Sequence, residues 1–172
     1  MNLSDQRSQD LRERVLSAFE PVPYPGHENI SKVRGDSQEG DETYAVFSGR
    51  NWRDRSTWQA ASNHSEALTW FTPEAFHYFL PAFLLACLDE QIATDGCSNA
   101  LMWVTHFTSV HPRKRKHGLV RAEHTELVRR LSPAQRQVMI DVLDDLIEKQ
   151  WETEADVWQV RELLSAESRN NS

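Results

Sequence analysis

Cysteine is scarce in this sequence, since Cys87 and Cys97 are the only two among 172 residues. Two thiols can build neither a disulfide scaffold nor a four-thiolate zinc site, so both classes of small stapled domain are excluded. The sequence also lacks a Gly-rich phosphate loop, a dinucleotide fingerprint and a Gly-x-Ser-x-Gly element. What remains, at 39% apolar and 26% charged residues, is the composition of an ordinary globular protein.

Long hydrophobic runs are also missing. The most apolar stretch runs over 14 residues, from Ala75 to Leu88, and contains His77 and Pro81. A membrane span needs about 20 apolar residues, so this stretch predicts a buried core helix and no membrane segment. The N-terminus lacks the basic start and apolar core of a secretory signal, and we therefore expect a cytoplasmic protein.

Positive charge is in deficit, with 19 Lys and Arg against 26 Asp and Glu, and the formal net charge is −7. A nucleic-acid-binding fold usually carries the opposite sign, so nucleic acid is not the expected partner. The exception is residues 111–136, where eight basic and two acidic residues give a local charge of +6. A nucleic-acid-associated protein that uses the basic segment 113–121 therefore remains an alternative.

Helix signals dominate the chain and predict a mainly α protein. Thr72, Pro73 and Glu74 are an N-cap, a first-turn proline and a first-turn acid, and they begin a central apolar helix over about 73–90. Pro81 predicts a kink or a break near 77–81. A first helix is predicted from Ser4 to about Phe19, and the capping box Ser132-Pro-Ala-Gln135 begins a late one. We expect a single compact multi-helix domain over 1–164, built around the central helix, with at most a minor β element.

Other segments are less regular. A polar loop is predicted at about 21–42 and a basic loop at about 111–118, and residues 165–172 are expected to be a disordered tail. Residues 43–48 could form a helical turn or a short strand. The stretch 101–110 is read as helix, although its β-branched residues leave a strand open. A further helix is predicted over 153–164.

The central segment Leu68-Thr-Trp-Phe-Thr-Pro-Glu-Ala-Phe-His-Tyr-Phe-Leu-Pro-Ala-Phe-Leu84 resembles a bacterial family of unknown function. Members of that family share a phrase close to Leu-Thr-Pro-Glu-Ala-Phe-Arg-Tyr-Tyr-Leu-Pro-Ala-Phe-Leu. Phe47-Ser-Gly-Arg-Asn-Trp52 looks like its aromatic-Gly-Trp element, and Leu131 to Gln135 like its late helix start. His77 and Phe79 stand where arginine and tyrosine are common. The resemblance implies a compact helical domain and no activity, and its motif positions here are Pro73, Glu74, Phe76, His77, Tyr78 and Pro81.

Several polar clusters contain residue types that occur in functional sites. The gaps between His106, His111, His117 and His124 never place two imidazoles on one helical face, so we expect no metal and no cofactor. Gly35-Asp36-Ser37 lacks the buried strand that precedes a hydrolase serine and indicates a turn. A cluster of acids at helical spacing is interpreted as a solvated helix face, with Asp141, Asp144, Asp145 and Glu148 as its members.

The function expected from these features is non-catalytic binding of another protein, with an antidote-like role against a toxin as one form. Tryptophan and arginine dominate the energy of many interfaces, and they cluster within nine residues as Arg50, Trp52, Arg53, Arg55 and Trp58. The alternative for this cluster is that both tryptophans are core and the arginines cover them. An enzyme with a site around Glu74, His77 and Tyr78 is the second function considered. The sequence leaves the partner and the oligomeric state open.

Overall fold

The computed structural model describes residues 3–92, 126–149 and 164–165, with side chains from Asp5 onward. The fold is mainly helical, as predicted. The named helices are α1 (Leu3–Phe19), α2 (Gln38–Phe47), α3 (Arg55–Asn63), α4 (Ala67–Trp70), α5 (Pro73–Leu88) and α6 (Pro133–Glu148). A 3-10 turn lies at His27–Asn29, and an isolated bridge between Ser31 and Phe71 is the β pairing in these described ranges.

Some predicted elements lie outside the described residues: the stretch 101–110, the basic loop 111–118, most of the helix 153–164, and the tail after Ser165. The chain divides into two compact units. Unit 1 comprises Met1–Ala18 with Val104–Ser172, and unit 2 comprises Phe19–Trp103.

In unit 1, α1 and α6 pack as an antiparallel pair. Gln135, near the start of α6, donates from Nε2 to the carbonyl of Ala18, at 3.1 Å. Lys149, just after α6, donates from Nζ to the Oγ of Ser8, at 2.7 Å. The apolar faces between these ends are buried at helical spacing, and they consist of Leu11, Val15, Val138, Met139, Val142, Leu143 and Leu146.

The capping box predicted for α6 is confirmed. The Ser132 Oγ accepts from the Gln135 backbone amide at 3.2 Å, and the Gln135 Oε1 accepts from the Ser132 amide at 2.9 Å. Pro133 holds the first helical position, where its missing N–H costs no hydrogen bond. The late helix therefore begins at the residue that the sequence predicted.

The solvated interpretation of the acidic face of α6 is wrong for Asp145, which is 2% exposed. Its carboxylate lies 2.9 Å from Lys149 Nζ and 3.4 Å from Arg7 Nε. Asp141 pairs with Arg14, and Glu148 pairs with Arg7, so two of the arginines of α1 face acids of α6. The acids are neutralised across the helix pair because antiparallel packing brings the basic positions of α1 opposite them.

In unit 2, α5 begins as predicted. The Thr72 Oγ1 accepts from the Ala75 amide at 3.1 Å, and Pro73 occupies the first turn. Phe76, Phe79, Phe83 and Leu84 are at most 3% exposed, which confirms their assignment to the core. The helix ends at Leu88 and runs on through Pro81, so the predicted break is wrong, and a kink stays a prediction.

Four phenylalanines from three segments form the centre of unit 2. Phe47 from α2 lies 5.0 Å from Phe71 and 5.1 Å from Phe79 between ring centroids, both with edge contacts. Phe83 completes the group at 6.1 Å from Phe47. These rings bury large areas in favourable aromatic geometries. They connect α2 and Phe71 to α5.

The predicted loop at 21–42 is too long, because α2 already begins at Gln38. The Ser37 Oγ caps it by accepting from the Gly40 amide at 3.0 Å. Gly40 made this stretch look irregular, but a side chain there would meet the Val33 carbonyl oxygen at 2.5 Å. Glycine lets the helix approach that turn closely. Residues 43–47 are helical, which decides against the short strand.

Candidate functional site

The predicted tryptophan–arginine cluster divides into a buried and a surface part. Trp52 is 1% exposed, so the expectation that it is an exposed anchor is wrong, and the core alternative holds for it. The Arg53 guanidinium carbon lies 4.9 Å from the centroid of the Trp52 ring and covers the indole. Trp58 is half-buried on α3, and its Nε1 donates to the Trp52 carbonyl at 2.8 Å. That hydrogen bond fixes the orientation of an indole that still reaches the surface.

Arg50 and Arg55 make contacts within unit 2. Arg50 donates from Nε to the Val46 carbonyl at the end of α2. Arg55 donates from Nε and Nη2 to the two carboxylate oxygens of Asp89, at 3.0 and 3.2 Å, and from Nη2 to Gln91 at 2.8 Å. The hydrogen bond to Asp89 and the charge of that carboxylate raise the pKa of Arg55. Arg55 therefore ties the start of α3 to the end of α5.

The second predicted site lies on α5. Glu74 is exposed and His77 is half-buried, with its ring 6.2 Å from Phe19. Tyr78 is 7% exposed, and its hydroxyl lies near the Trp52 backbone. Burial raises the pKa of Tyr78, which further favours the protonated phenol over the phenolate that a base requires. The structure thus joins Tyr78 to the tryptophan cluster.

Side-chain contacts hold together two irregular segments of unit 2, residues 20–27 and residues 48–53. The Tyr24 hydroxyl accepts from the Gly49 amide at 2.8 Å, and His27 Nδ1 is hydrogen-bonded to Ser48 Oγ at 2.8 Å. Glu20 lies 3.7 Å from Arg53. Segment 20–27 is therefore held against segment 48–53 at three places along its length.

Aromatic contacts of the Tyr24 ring support the same arrangement. The Tyr24 ring lies 5.3 Å from the Tyr78 ring and 5.6 Å from the His27 ring, both edge-on. Gly49 has φ of 76°, which is a left-handed conformation that favours glycine, and a Cβ at this position would lie 3.5 Å from Cε1 of the His27 ring. We use the name proline–arginine face for solvent-exposed residues of these two segments together with the half-buried Trp58, and its members are Pro21, Pro23, His27, Arg53 and Trp58.

Sequence reasoning found Arg53 and Trp58 and missed Tyr24, His27 and Ser48. Local patterns could not pair them, because the partners lie 21 to 25 positions apart in the chain. The available signals were the prolines at 21, 23 and 25 and the glycines at 26 and 49, which together mark two sharply shaped segments.

The His27–Ser48 pair has the residue types of a nucleophile and its base. However, the backbone amides around the serine are already engaged: Ser48 donates to the Tyr44 carbonyl, Gly49 to the Tyr24 hydroxyl and Arg50 to the Phe47 carbonyl. A tetrahedral oxyanion needs donors aimed at it. This pair is therefore better suited to holding the two segments together than to acyl transfer.

An acidic depression of about 600 Å³ lies at the start of α2 and is lined by Gly35, Asp36, Ser37, Gln38, Asp41, Glu42 and Ala45. Ser37 caps the helix, and Asp41 Oδ1 accepts from the Gly35 amide at 2.8 Å. The turn predicted for Gly35-Asp36-Ser37 is thereby confirmed. The Ser37 Oγ is therefore already used as a helix cap and accepts from a backbone amide.

Neither a membrane span nor a metal cluster is evident in the described ranges. Within 3–92, 126–149 and 164–165, no helix is long and apolar enough to cross a bilayer. The same residues contain no group of three or more His, Cys, Asp or Glu side chains that could hold a metal ion.

Comparison with known proteins returned no matching family model, no matching curated protein and no matching solved structure. The resemblance of the α5 segment to a bacterial family of unknown function therefore stays a prediction.

Proposed function

We propose that this protein is non-catalytic and acts by binding another protein through the proline–arginine face. The observation that carries the proposal is the fastening of two irregular segments by the Tyr24–Gly49 and His27–Ser48 hydrogen bonds. Segments without helix or strand hydrogen bonds normally lose much conformational entropy when they bind. A surface that is already held in one conformation avoids most of that cost.

The surface chemistry supports the same function. Trp58 presents part of an indole whose orientation is fixed by its bond to the Trp52 carbonyl. Arg53 is 42% exposed and extends over the buried Trp52 ring. Tryptophan and arginine are the residue types that most often contribute large binding energies at interfaces. The face thus combines rigid anchors with groups that protrude into solvent.

Charge favours a basic partner. Residues 19–92 contain five Lys and Arg and eleven Asp and Glu, which gives unit 2 a formal charge of −6 over its described part. Complementary charge accelerates association and excludes partners of like charge. In this proposal the protein works in the bacterial cytoplasm, and an antidote-like role against a basic toxin is one concrete form.

Site-specific photo-crosslinking tests the proposal. A photoreactive phenylalanine derivative replaces Arg53 or Trp58 in cells of the native host, and the matched control carries it in place of Ala45, which is exposed on α2. We expect one and the same protein to crosslink from positions 53 and 58 and not from 45. Crosslinks from 45 alone, or none from the face, would contradict the proposal.

Affinity measurements with the crosslinked protein sharpen the result. We expect Arg53→Ala together with Trp58→Ala to weaken binding by about 2 kcal/mol or more. Gln59→Ala, an exposed change on the same helix, should leave binding unchanged. Tyr24→Phe keeps the ring contacts and removes the tie to Gly49, so it should weaken binding several-fold without altering any group on the face. The melting temperature of each variant shows whether the fold has been retained.

A further inference from the structure

Asp54 carries a carboxylate that the described fold does not use. The residue occupies the N-cap position of α3, where an aspartate normally accepts a hydrogen bond from an amide of the first turn. Its side chain makes no such bond, and the Thr57 amide donates to the Asp54 backbone carbonyl instead, at 2.8 Å. A polar residue that departs from a local rule without a gain in stability is expected at a functional position.

The two arginines beside Asp54 in the chain pair with other acids. Arg53 lies 3.7 Å from Glu20, and Arg55 lies 3.0 Å from Asp89. Both cations are thus neutralised by carboxylates of other segments. Asp54 is exposed, and its carboxylate forms no hydrogen bond and no ion pair within the described part of the chain. Of the three charged residues from 53 to 55, Asp54 is therefore the one whose charge is available to a cation of the partner.

The Trp58 indole lies close to this carboxylate. Asp54 and Trp58 are four positions apart, and the Trp58 amide donates to the Asp54 carbonyl at 3.2 Å, so the two side chains start from neighbouring points on the surface of α3. The indole is directed back along the chain, because its Nε1 donates to the Trp52 carbonyl at 2.8 Å. A half-buried aromatic ring of fixed orientation and an unpaired carboxylate thus occur together on the described surface of α3.

We infer that Asp54 and Trp58 together receive an arginine side chain of the partner protein. A guanidinium group can stack its plane on an indole while its N–H groups form a charge-assisted pair with a carboxylate. A lysine ammonium is a compact and more strongly hydrated charge, so it gains less from the aromatic surface. The inference rests on the proposed function and specifies one contact that the basic partner makes.

Titration of the full chain with an arginine derivative tests this inference. The probes are Nα-acetyl-arginine amide, the corresponding lysine derivative and the uncharged citrulline derivative. The readout is the indole N–H resonance of Trp58 in proton–nitrogen correlation spectra, which is identified by its loss in Trp58→Phe. We expect saturable shifts of this resonance with arginine, weaker binding of lysine and no shift with citrulline.

Asp54→Asn should weaken arginine binding about three- to five-fold, because it removes the charge and keeps the shape of the side chain. Its melting temperature should equal that of the wild type, since the carboxylate does not cap α3. Asp36→Asn is the matched control, because Asp36 is also an exposed aspartate of unit 2 and the two variants have the same net charge. It should bind arginine like the wild type.

The inference is overturned if arginine does not shift the Trp58 resonance, or if citrulline shifts it equally. Lysine binding as strong as arginine binding also overturns it, because the contact requires the guanidinium plane. The same holds if Asp54→Asn binds arginine like the wild type, or loses no more affinity than Asp36→Asn. If one protein crosslinks from positions 53 and 58 and binds Asp54→Asn with unchanged affinity, the proposed function stands and arginine recognition by Asp54 is ruled out.

Discussion

The two units are held together by different kinds of interaction. In unit 1, two long amphipathic helices bury a continuous apolar face, and acids of one helix meet arginines of the other. In unit 2, phenylalanines from separate segments form the core, and single hydrogen bonds fasten irregular segments at the surface. The comparison indicates that charged side chains of unit 1 pair with one another inside the unit. In unit 2, by contrast, surface groups are held in fixed positions where a partner can contact them.

Net charge follows the same division. The described residues of unit 2 carry a formal charge of −6, whereas residues 126–149 of unit 1 contain four basic and five acidic residues. Three acids of the α6 face that was predicted to be solvated are paired with Arg7, Arg14 and Lys149. We therefore expect perturbations of unit 1 to change stability, and perturbations of the proline–arginine face to change binding.

The largest expected effect comes from the phenylalanine core of unit 2. Phe83 is fully buried against Phe47 and Phe71. Phe83→Ala should lower the free energy of unfolding by about 3–5 kcal/mol, because the side chain loses its burial and leaves a cavity. Denaturant unfolding measures the loss, and Phe83→Leu should cost less. A loss under about 1 kcal/mol would show that the aromatic core does not hold unit 2 together.

The next effect tests the charge pairing in unit 1. Asp145→Asn keeps the shape but leaves the Lys149 ammonium, which is 14% exposed, without its carboxylate. We expect a loss of about 2–3 kcal/mol, since removing one member of a buried pair leaves the other uncompensated. Glu148→Gln is the control, because that carboxylate is 69% exposed and should contribute less than about 1 kcal/mol. Equal losses for both variants would contradict the distinction between buried and exposed pairs.

A smaller effect is expected at the start of α2. Ser37→Ala removes the oxygen that accepts from the Gly40 amide and should cost about 1 kcal/mol. Ser37→Asp, which can cap the same amide, should restore most of that stability. If Ser37→Ala has no effect on thermal unfolding, the loop predicted from sequence would be a better description of this region than the helix.

The smallest effect concerns Tyr78 and appears only at alkaline pH. Its folded-state pKa is raised, so above the ordinary tyrosine pKa of about 10 the unfolded chain releases a proton that the folded chain retains. Stability is therefore complete below that pH and falls as pH rises through this window. Tyr78→Phe should flatten the fall relative to wild type in melts between about pH 9 and 11.5. Parallel curves for the two proteins would mean that Tyr78 titrates normally in the fold.

Helices were predictable where the signals are local. Thr72 with Pro73, and Ser132 with Gln135, begin α5 and α6 at the residues expected, because each cap needs partners only three positions away. The loop error at 38–42 came from Gly40, whose close approach to Val33 is visible only in three dimensions. Pro81 remained inside a continuous helix, since propensity is a weak constraint for a segment that is buried on every side.

The candidate site was less predictable for the same physical reason. Composition predicted Trp58 and Arg53 as anchors, but hydrophobicity alone could not separate the buried Trp52 from the half-buried Trp58 six positions later. The bonds that shape the face join Tyr24 to Gly49 and His27 to Ser48 across more than 20 residues. Pairings of that range depend on how the helices pack, and no local pattern encodes them.

The central claim is that two segments of unit 2 are held in one conformation before any partner binds. Amide hydrogen exchange at Gly49 tests it most directly, because this residue is exposed and its amide hydrogen bonds to the Tyr24 hydroxyl. We predict that the Gly49 amide exchanges at least about ten-fold more slowly than an unprotected glycine amide, and that Tyr24→Phe abolishes this protection. A Gly49 amide that exchanges at the unprotected rate in the wild-type protein would contradict the claim.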